Sequence, residues 1–364
     1  MSGAGASLRV LIMAGGTGGH VFPALAVAER LREQRAEVQW LGSRDGMEAH
    51  LVAARGFAFH ALAVRGLRGN GVLGWLLAPL RVCAAVLAAL RVLRRVRPQV
   101  VLGMGGYASG PGGVAAWLAR TPLVVHEQNA VPGLTNRVLA RIATRVLEAF
   151  PGSFPARAGA RHTGNPVRAD IAALPPPAAR ARSGDDSLHL LVLGGSQGAR
   201  RLNEAVPAAL AGLAPPLRVQ VRHQAGARHV AAAREAYARH GLGIEPLAFI
   251  DDMAGSYAWA DLVLCRAGAM TVAELAAAGV AAVLVPYPHA VDDHQSANAR
   301  HLVAAGGAVL LPDRELEPAR LGALLAEFAA ARDRLLRMAE AARRLAMPDA
   351  DRRVALCCME VAHA

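Results

Sequence analysis

Short apolar runs alternate with longer, helix-length stretches along most of the chain. The pattern predicts strands over residues 9–14, 38–41, 100–104 and 123–126, and helices over residues 22–35, 47–55 and 112–120. Continuously apolar strands separated by helices are typical of a parallel sheet that is buried on both faces. The sequence therefore predicts an α/β fold of the doubly wound kind.

The opening pattern of the chain occurs a second time. After "LPPPAARARSGDD", which is rich in proline and charge and is interpreted as a linker, "SLHLLVLGGSQGARRLNEAVPAAL" again predicts a strand, a glycine loop and a helix. The two patterns are about 180 residues apart, which is about the length of one domain. We expect two domains, over residues 1–165 and 166–345, that face one another across a cleft.

Both predicted domains place glycines between the first strand and the first helix, in "GGTGG" and "GGSQG". Glycine lets the backbone approach a ligand closely, and the N-terminus of the following helix offers free N–H groups and positive potential. Ligands of open α/β sheets bind beyond the carboxyl ends of the strands, where both loops lie. The pattern favours a phosphate-bearing ligand, although such loops also serve only to turn the chain.

The composition of the chain indicates the kind of partner it binds and excludes several kinds of catalytic site. The 364 residues carry a formal net charge of +12 with a pI near 11.0, which indicates an anionic partner such as nucleic acid, anionic lipid or a phosphorylated substrate. Every basic residue is arginine, which excludes a lysine Schiff base and the lysine-containing P-loop. The four cysteines form no C-x-x-C pair, so a reducing cytosolic setting without a zinc site or disulfides is expected.

An NAD-dependent enzyme is disfavoured. Such enzymes bind the ribose with an acidic residue at the end of the second strand. Here Gly42 and Ser43 stand at that place. The first loop also lacks the G-x-G-x-x-G spacing of dinucleotide-binding proteins.

His20 is the candidate for chemistry in the first domain, because it lies where the glycine loop passes into the helix. It acts there as a general base or a polariser of the substrate, or else it only caps the helix or bonds a neighbouring carbonyl group. In the second domain, the N–H groups of Ala269 and Met270 are placed to hold a diphosphate, and Glu274 to accept hydrogen bonds from ribose hydroxyls. The alternative for Glu274 is that it complements the helix dipole from the first turns. Polar residues in "VDDHQSANA" either face the same site or cap the next helix.

The motifs together resemble one family. "GGTGGHVFPALAVA", "GMGGYASGPG", "HEQNAVPGLTNR", "TGNPVR", "GGSQGA", "HQAG", "FIDDM", "CRAGAMTVAEL" and "HQSANA" occur in the order seen in the MurG family of peptidoglycan glycosyltransferases, from about residue 8 to residue 345. The resemblance implies a GT-B glycosyltransferase fold, with two Rossmann-like doubly wound domains. It also implies inverting transfer of GlcNAc, without metal or other cofactor, from UDP-GlcNAc to the muramyl 4-hydroxyl of undecaprenyl-diphosphate-linked muramyl-pentapeptide. This is the step from lipid I to lipid II in cell-wall synthesis.

The resemblance also assigns roles to residues. It makes His20 the candidate base, although the identity of the base stays open. It implies that Asn129 contacts GlcNAc, that the Ile250 backbone holds uracil and that Glu274 takes the ribose. Cys265 stands where the family commonly has serine, and His294 where it often has glutamine. The donor-binding residues implied are Thr17, Gly18, Gly19, Asn129, Arg168, Ser196, Ile250, Ala269, Met270, Thr271, Val272, Ala273, Glu274 and Gln295.

A lipid-linked acceptor implies a membrane surface. On the interpretation that the resemblance supports, residues 1–165 hold the acceptor and face the membrane, and residues 166–345 hold UDP-GlcNAc. Residues 346–364 form a helix that crosses back to the first domain. The stretch 72–97 contains Pro79 and Arg81, and an arginine at the bilayer centre costs about 2.5–3.5 kcal/mol, which argues against a spanning helix. Its apolar residues and arginines favour peripheral binding to anionic lipid at the cytoplasmic face; a core helix with a basic end is the alternative. These residues are Trp75, Leu76, Leu77, Arg91, Arg94, Arg95 and Arg97.

Two rival functions remain open at this point. A UDP-GlcNAc 2-epimerase of the same fold would also bind the nucleotide sugar, but it would not need the apolar and basic stretch. A nucleic-acid-binding protein would explain the charge, yet aromatic residues make up only 4% of the chain and no basic–aromatic interleaving is evident. We therefore expect no nucleic-acid partner, and cell-wall synthesis proteins as partners on family grounds alone.

Overall fold

The computed structural model describes residues 7–64, 78–180, 187–195 and 198–363. The chain divides into two compact units, Met1–Pro166 together with Asp349–Ala364, and Val167–Pro348. Predictions made for Trp75, Leu76, Leu77 and Ser196 lie outside the described residues.

The first unit contains a parallel sheet with helices between its strands. The strands are β1 (Arg9–Met13), β2 (Glu37–Ser43), β3 (Ala58–Leu62), β4 (Val100–Gly103), β5 (Leu123–Glu127), β6 (Arg145–Glu148) and β7 (Arg161–His162). The helices are α1 (Gly18–Glu33), α2 (Glu48–Ala53), α3 (Ala78–Val96), α4 (Ser109–Leu118) and α5 (Leu134–Leu139).

Strand order decides which loops of this unit meet. Among the described residues the sheet runs β3-β2-β1-β4-β5-β6-β7, with every pair parallel. β1 pairs with β2 on one side and β4 on the other, with Leu11 opposite Gln39 and Val101. The winding direction reverses between β1 and β4, and such a switch point is where doubly wound sheets bind ligands.

The second unit repeats this plan with fewer strands. Its strands are β8 (Leu188–Leu193), β9 (Val219–Gln224), β10 (Leu262–Cys265), β11 (Ala281–Leu284) and β12 (Ala308–Leu310). Its helices are α6 (Ala169–Ala172), α7 (Arg200–Ala211), α8 (Val230–Arg239), α9 (Met253–Trp259), α10 (Ala269–Ala278), α11 (His294–Ala304), α12 (Pro318–Ala330) and α13 (Arg332–Arg343). The parallel sheet of the described residues runs β12-β11-β10-β8-β9, with the switch between β8 and β10.

The last helix, α14 (Ala350–His363), belongs to the first unit. It packs against α1 and buries Val354, Cys358 and Val361 in the same core as Val10 and Ile12. An ion pair joins the two helices at their edge. The C-terminal segment therefore completes one face of the first sheet.

The predicted α/β class is confirmed, and the differences lie at the ends of elements. α1 begins at Gly18 rather than at residue 22, so Pro23 lies inside the helix. Proline is most common at the start of a helix, which is why the sequence favours the later start. The loop before α1 is therefore shorter than expected. α4 likewise begins at Ser109, whose hydroxyl donates to Met13 O over 2.9 Å.

No helix among the residues that the structure describes is long and apolar enough to cross a membrane.

Candidate active site

Two glycine loops of the first unit touch at the switch point. Gly16, in the loop after β1, and Gly106, in the loop after β4, both have φ of +88°. A Cβ on Gly106 would overlap the carbonyl group of Gly15. Only glycine permits this approach, which leaves the backbone of the first loop as the floor of the site.

A buried carboxylate supports this floor from below. Glu48 has no exposed surface, and it accepts hydrogen bonds from the N–H of Ser43 at 2.8 Å, the N–H of Gly16 at 3.3 Å and the Ser43 hydroxyl. Glu48 is not predicted as a site residue from sequence, because a glutamate at the start of a helix resembles an ordinary helix-dipole partner. Its contacts fix the glycine loop in one conformation.

His20 faces the loop after β4 rather than its own helix end. Its Nδ1 lies 2.8 Å from Oε1 of Gln128, and a Cβ on Gly105 would come within 2.9 Å of the ring. The helix-cap interpretation is therefore wrong, since Thr17 is the N-cap residue and its carbonyl accepts from the N–H of His20. The imidazole is held by a side chain 108 positions away.

Gln128, in the loop after β5, connects His20 to a second histidine in the core. Gln128 Nε2 lies 3.0 Å from Nδ1 of His126, whose Nε2 lies 3.0 Å from the carbonyl oxygen of Gly164. His126 is fully buried, and burial lowers its pKa to about 4, so the ring is neutral near pH 7. Neither residue was singled out by the sequence analysis.

Glu127 shapes the segment that carries Asn129. Its Oε1 accepts from the N–H of Asn129 at 2.9 Å and from the side-chain amide of Asn129 at 3.2 Å. Its Oε2 accepts from the N–H of Gly133 at 3.2 Å and from Asn136 Nδ2 at 2.9 Å. The buried carboxylate thus holds the half-buried Asn129 at the carboxyl end of β5.

In the second unit, the start of α10 forms the expected anion-binding end. Gly268 is the N-cap residue and its carbonyl accepts from the N–H of Val272 at 2.9 Å. The amides of Ala269, Met270 and Thr271 precede that first intrahelical bond and are the ones available to an anion. The amide of Val272 is used in this bond and its side chain is buried, while its assignment as a donor-binding residue stays a prediction.

Glu274 lies a full turn further along α10, so it does not complement the dipole from the first turn. Tyr257, which is fully buried, donates its hydroxyl to Glu274 Oε2 over 3.0 Å. Burial raises the pKa of Glu274 to about 7, while the Tyr257 hydrogen bond and the charge of Arg168 act in the opposite direction. The carboxyl group is therefore partly protonated near neutral pH.

Arg168 and Ile250 lie on segments close to this carboxylate. Arg168 is the N-cap residue of α6, and its guanidinium binds Asp170 with distances of 2.5 and 3.2 Å. Asp170 raises the pKa of Arg168, with smaller contributions from Glu274 and Asp252. Asp252, two residues after the buried Ile250, caps α9 by accepting from the N–H of Gly255 at 2.7 Å.

Gln295 lies in the first turn of α11 and accepts from the N–H of Tyr287 over 2.9 Å. One turn later the buried Asn298 donates to the carbonyl oxygen of Ala267 over 3.2 Å, in the loop that precedes α10. Asp293 occupies the N-cap position of α11, but its carboxylate accepts no hydrogen bond from a backbone N–H of this helix, every residue of which the structure describes. It accepts instead from the Ser296 hydroxyl at 2.6 Å. The structure thus connects α11 to the anion-binding loop.

The predicted site residues fall into two groups. The first unit carries Thr17, Gly18, Gly19, His20 and Asn129. The second carries Arg168, Ile250, Ala269, Met270, Thr271, Val272, Ala273, Glu274 and Gln295. Each group lies on segments that follow the strands of its own sheet or begin the helices beside them.

Two family models match the chain in order. The model of the glycosyltransferase family 28 N-terminal domain matches residues 10–148, and that of the glycosyltransferase family 28 C-terminal domain matches residues 189–354. The chain belongs to glycosyltransferase family 28. The first match lies within the first unit and the second covers most of the second unit, while Arg168 falls between the two matches.

Relatives place the chain more narrowly within this family. A protein of Alkalilimnicola ehrlichii named UDP-N-acetylglucosamine–N-acetylmuramyl-(pentapeptide) pyrophosphoryl-undecaprenol N-acetylglucosamine transferase is 59% identical over 98% of this chain and 99% of its own length. A crystal structure of Acinetobacter baumannii MurG is 41% identical, covers 97% of this chain and 99% of its own, and has a TM-score of 0.83. The resemblance to the MurG family and the GT-B fold are confirmed.

The fold is shared with the rival enzyme class. A crystal structure of UDP-N-acetylglucosamine 2-epimerase has a TM-score of 0.63 and covers 96% of this chain, at 15% identity. At that identity the likeness concerns the fold alone. The full-length relatives at much higher identity favour the transferase over the epimerase.

Proposed function

We propose that this chain transfers GlcNAc from UDP-GlcNAc to the muramyl 4-hydroxyl of undecaprenyl-diphosphate-linked muramyl-pentapeptide. The observation that carries the proposal is the 59% identity, over nearly the whole length of both chains, to a relative named for this transfer. The enzyme is then a UDP-GlcNAc-dependent hexosyltransferase of peptidoglycan synthesis.

The second unit supplies the chemistry of a nucleotide-sugar site. The amides at the start of α10 suit the two phosphates, and the Glu274 carboxylate suits the vicinal ribose hydroxyls. Arg168 adds a positive charge within the electrostatic reach of Glu274. Preorganised donors of this kind contribute about 2.7–4 kcal/mol each when charge develops on a leaving group. Ile250 for uracil and Gln295 for the sugar hydroxyls are part of the same proposal, as is Ser196.

The first unit supplies the acceptor side. The exposed loop of Gly16, Thr17 and Gly19 suits the diphosphate of the acceptor as well as contact with the donor sugar, and the half-buried His20 lies directly beside it. In the proposed step His20 takes the proton of the muramyl 4-hydroxyl while its oxygen bonds to the anomeric carbon. The bond from that carbon to UDP breaks at the same time, and its electron pair leaves on the diphosphate. Asn129, oriented by Glu127, is proposed to contact the GlcNAc.

An amphipathic surface of the first unit fits the lipid-linked acceptor. α3 exposes Leu80, Cys83 and Leu87, which repeat at helical spacing and therefore share one face. α4 packs on α3 and ends with Trp117 and Leu118, which are 55% and 53% exposed. Large apolar side chains exposed on neighbouring helices are typical of an interaction surface.

Positive charge accompanies this apolar face. Arg81, Arg91, Arg94, Arg95 and Arg97 are all exposed on α3 or directly after it. Each arginine near an anionic membrane surface contributes about 1 kcal/mol of binding. We propose that this face binds the cytoplasmic surface of the membrane peripherally, where the acceptor and other cell-wall synthesis proteins are available.

The proposed reaction is tested by incubating the purified chain with radiolabelled UDP-GlcNAc and a short-chain analogue of the lipid acceptor. We expect label to enter the lipid fraction, and Glu274→Ala and Asn129→Ala to abolish transfer. Glu245→Gln is the matched control, because Glu245 forms only an exposed ion pair with Arg234 in the second unit. Consumption or isomerisation of UDP-GlcNAc without transfer would instead favour the epimerase.

A further inference from the structure

A hydrogen-bonded chain of side chains links His20 to the backbone behind it. It runs from His20 Nδ1 to Gln128 Oε1 at 2.8 Å, from Gln128 Nε2 to His126 Nδ1 at 3.0 Å, and from His126 Nε2 to Gly164 O at 3.0 Å. Every member lies in the first unit. An imidazole and an amide each have one donor side and one acceptor side, so the order of protons along this chain is determined by its end.

The carbonyl group of Gly164 determines which atom donates in each hydrogen bond of this chain. A carbonyl oxygen only accepts hydrogen bonds, so Nε2 of His126 carries a proton. Because burial keeps His126 neutral near pH 7, its Nδ1 has no proton and accepts. The amide NH2 group of Gln128 must therefore face His126. The nearby Glu127 carboxylate favours the protonated ring, but burial is the larger effect on the His126 pKa.

The amide orientation of Gln128 has an independent support. Its Nε2 also lies 3.2 Å from the carbonyl oxygen of His126, which again requires a donor at this position. The amide oxygen is then the atom that faces His20, and an amide oxygen only accepts. His20 must donate from Nδ1.

We infer that Gln128 and His126 are positioning residues that hold His20 in the Nδ1–H tautomer, with an unprotonated Nε2 directed away from them. An imidazole in this tautomer presents its lone pair on Nε2 and is ready to remove a proton from a hydroxyl group. The inference rests on the proposed function for the identity of that hydroxyl, the muramyl 4-hydroxyl. The tautomer itself is a property of the free protein.

The tautomer is measured by long-range ¹H–¹⁵N correlation spectra of protein labelled with ¹⁵N-histidine. The His20 signals are assigned by their loss in His20→Gln. We expect the Nδ1–H pattern in the unaltered chain. Gln128→Met, which keeps the length but removes both hydrogen-bonding groups, should move His20 towards the Nε2–H tautomer.

A second histidine–glutamine pair provides a matched control. Gln39 Oε1 lies 2.7 Å from Nε2 of the half-buried His60, on neighbouring strands β2 and β3 of the same sheet. Gln39→Met removes an equivalent contact and should leave the His20 tautomer unchanged. Gln128→Glu, which still accepts from His20, should keep the Nδ1–H tautomer, and its spectrum also shows whether the site tolerates substitution.

The kcat and KM values of these variants distinguish a positioning role of Gln128 from a merely structural one. Gln128→Met should lower kcat about 10- to 100-fold, which is a part of the roughly 10²- to 10⁴-fold that a general base contributes, while KM for UDP-GlcNAc changes less than about twofold. Gln128→Glu should recover part of the loss, and Gln39→Met should match the unaltered chain.

The inference and the proposed function fail in different ways. A kcat unaffected by His20→Ala would reject His20 as the base, whatever its tautomer. If His20→Ala abolishes transfer, an Nε2–H pattern in the unaltered chain, or an unchanged tautomer in Gln128→Met, would overturn the positioning role.

Discussion

Glu274 shows how an ordinary residue acquires special chemistry from its neighbours. In a peptide its carboxyl group would be ionised at pH 7, but the fold half-buries it, with Oε2 bonded to the Tyr257 hydroxyl and the charge of Arg168 nearby. Burial disfavours the charged form more than these two groups favour it, so the pKa rises to about 7. Under the proposed function, the ionised carboxylate accepts two hydrogen bonds from the ribose, which couples binding to pH.

Affinity for UDP-GlcNAc should therefore increase as the pH rises through 7. Since the ionised fraction of a group with this pKa increases from about one tenth at pH 6 to nine tenths at pH 8, the Kd should fall about 5- to 10-fold. Calorimetric titration at the two pH values measures the change. Glu274→Gln should bind weakly with little dependence on pH, and an equally steep dependence in that variant would contradict the role of Glu274.

At the scale of elements, the decisive feature of the first unit is the contact between the loops after β1 and β4. These loops are far apart in sequence and meet because β1 and β4 are neighbours in the sheet. Gly106 lies against the carbonyl group of Gly15, and Glu48 on α2 holds Gly16 from the opposite side. Each loop therefore depends on the other for its shape.

Gly106→Ala should destabilise the chain and disable transfer together. The change adds both backbone strain at φ +88° and an overlap with Gly15. Gly152→Ala is the matched control, because Gly152 has φ of +80° but no atom within 4 Å of an added Cβ. The control should lose about 1–2 kcal/mol from strain alone.

The measurements are the chemical denaturation midpoint and kcat of each variant. We expect the larger shift in midpoint for Gly106→Ala, with kcat at least about tenfold lower because the acceptor loop is displaced. Gly152→Ala should retain kcat. Equal losses in the two variants would show that strain, rather than contact between the loops, is what matters.

The order of strands and helices and both glycine loops were predictable from sequence, because they depend on local periodicity and on the backbone freedom of glycine. The role of Gly106 was not. Its requirement for glycine comes from a backbone about ninety positions earlier, which local sequence does not reveal.

At the scale of the whole molecule, a net charge of +12 accompanies an exposed apolar face on α3, and both fit the proposed membrane contact. Apolar contact gives binding to any bilayer, and arginine adds a preference for anionic lipid. Cys83 lies on this face and is the exposed one of the four cysteines, all of which are in the described part of the chain. A label at this position reports directly on the proposed contact.

An environment-sensitive fluorophore on Cys83 should shift to shorter wavelength with anionic vesicles and less with zwitterionic ones. Added salt should weaken the response, because screening shortens electrostatic reach below about 10 Å above 0.1 M salt. Leu80→Ser with Leu87→Ser should weaken binding at least about tenfold, since each leucine contributes about 1.5–3 kcal/mol when fully buried.

Leu356→Ser serves as the control, because Leu356 is an exposed leucine on α14, at 43%. It should bind vesicles like the unaltered chain. An equal loss in the control, or a label that responds alike to both vesicle types, would contradict docking through α3.

The sequence by itself determined the α/β class, the repeated strand–loop–helix units and the family, and it predicts the donor-binding positions. These follow from periodicity and from short contiguous motifs, which the linear chain displays directly. Only the tertiary structure decided which side chains support them. Glu48 beneath Gly16, Tyr257 beside Glu274, and Gln128 and His126 behind His20 are partners 32, 17 and more than 100 positions apart. Such partnerships depend on strand order and on burial, which changes both the protonation and the orientation of each group.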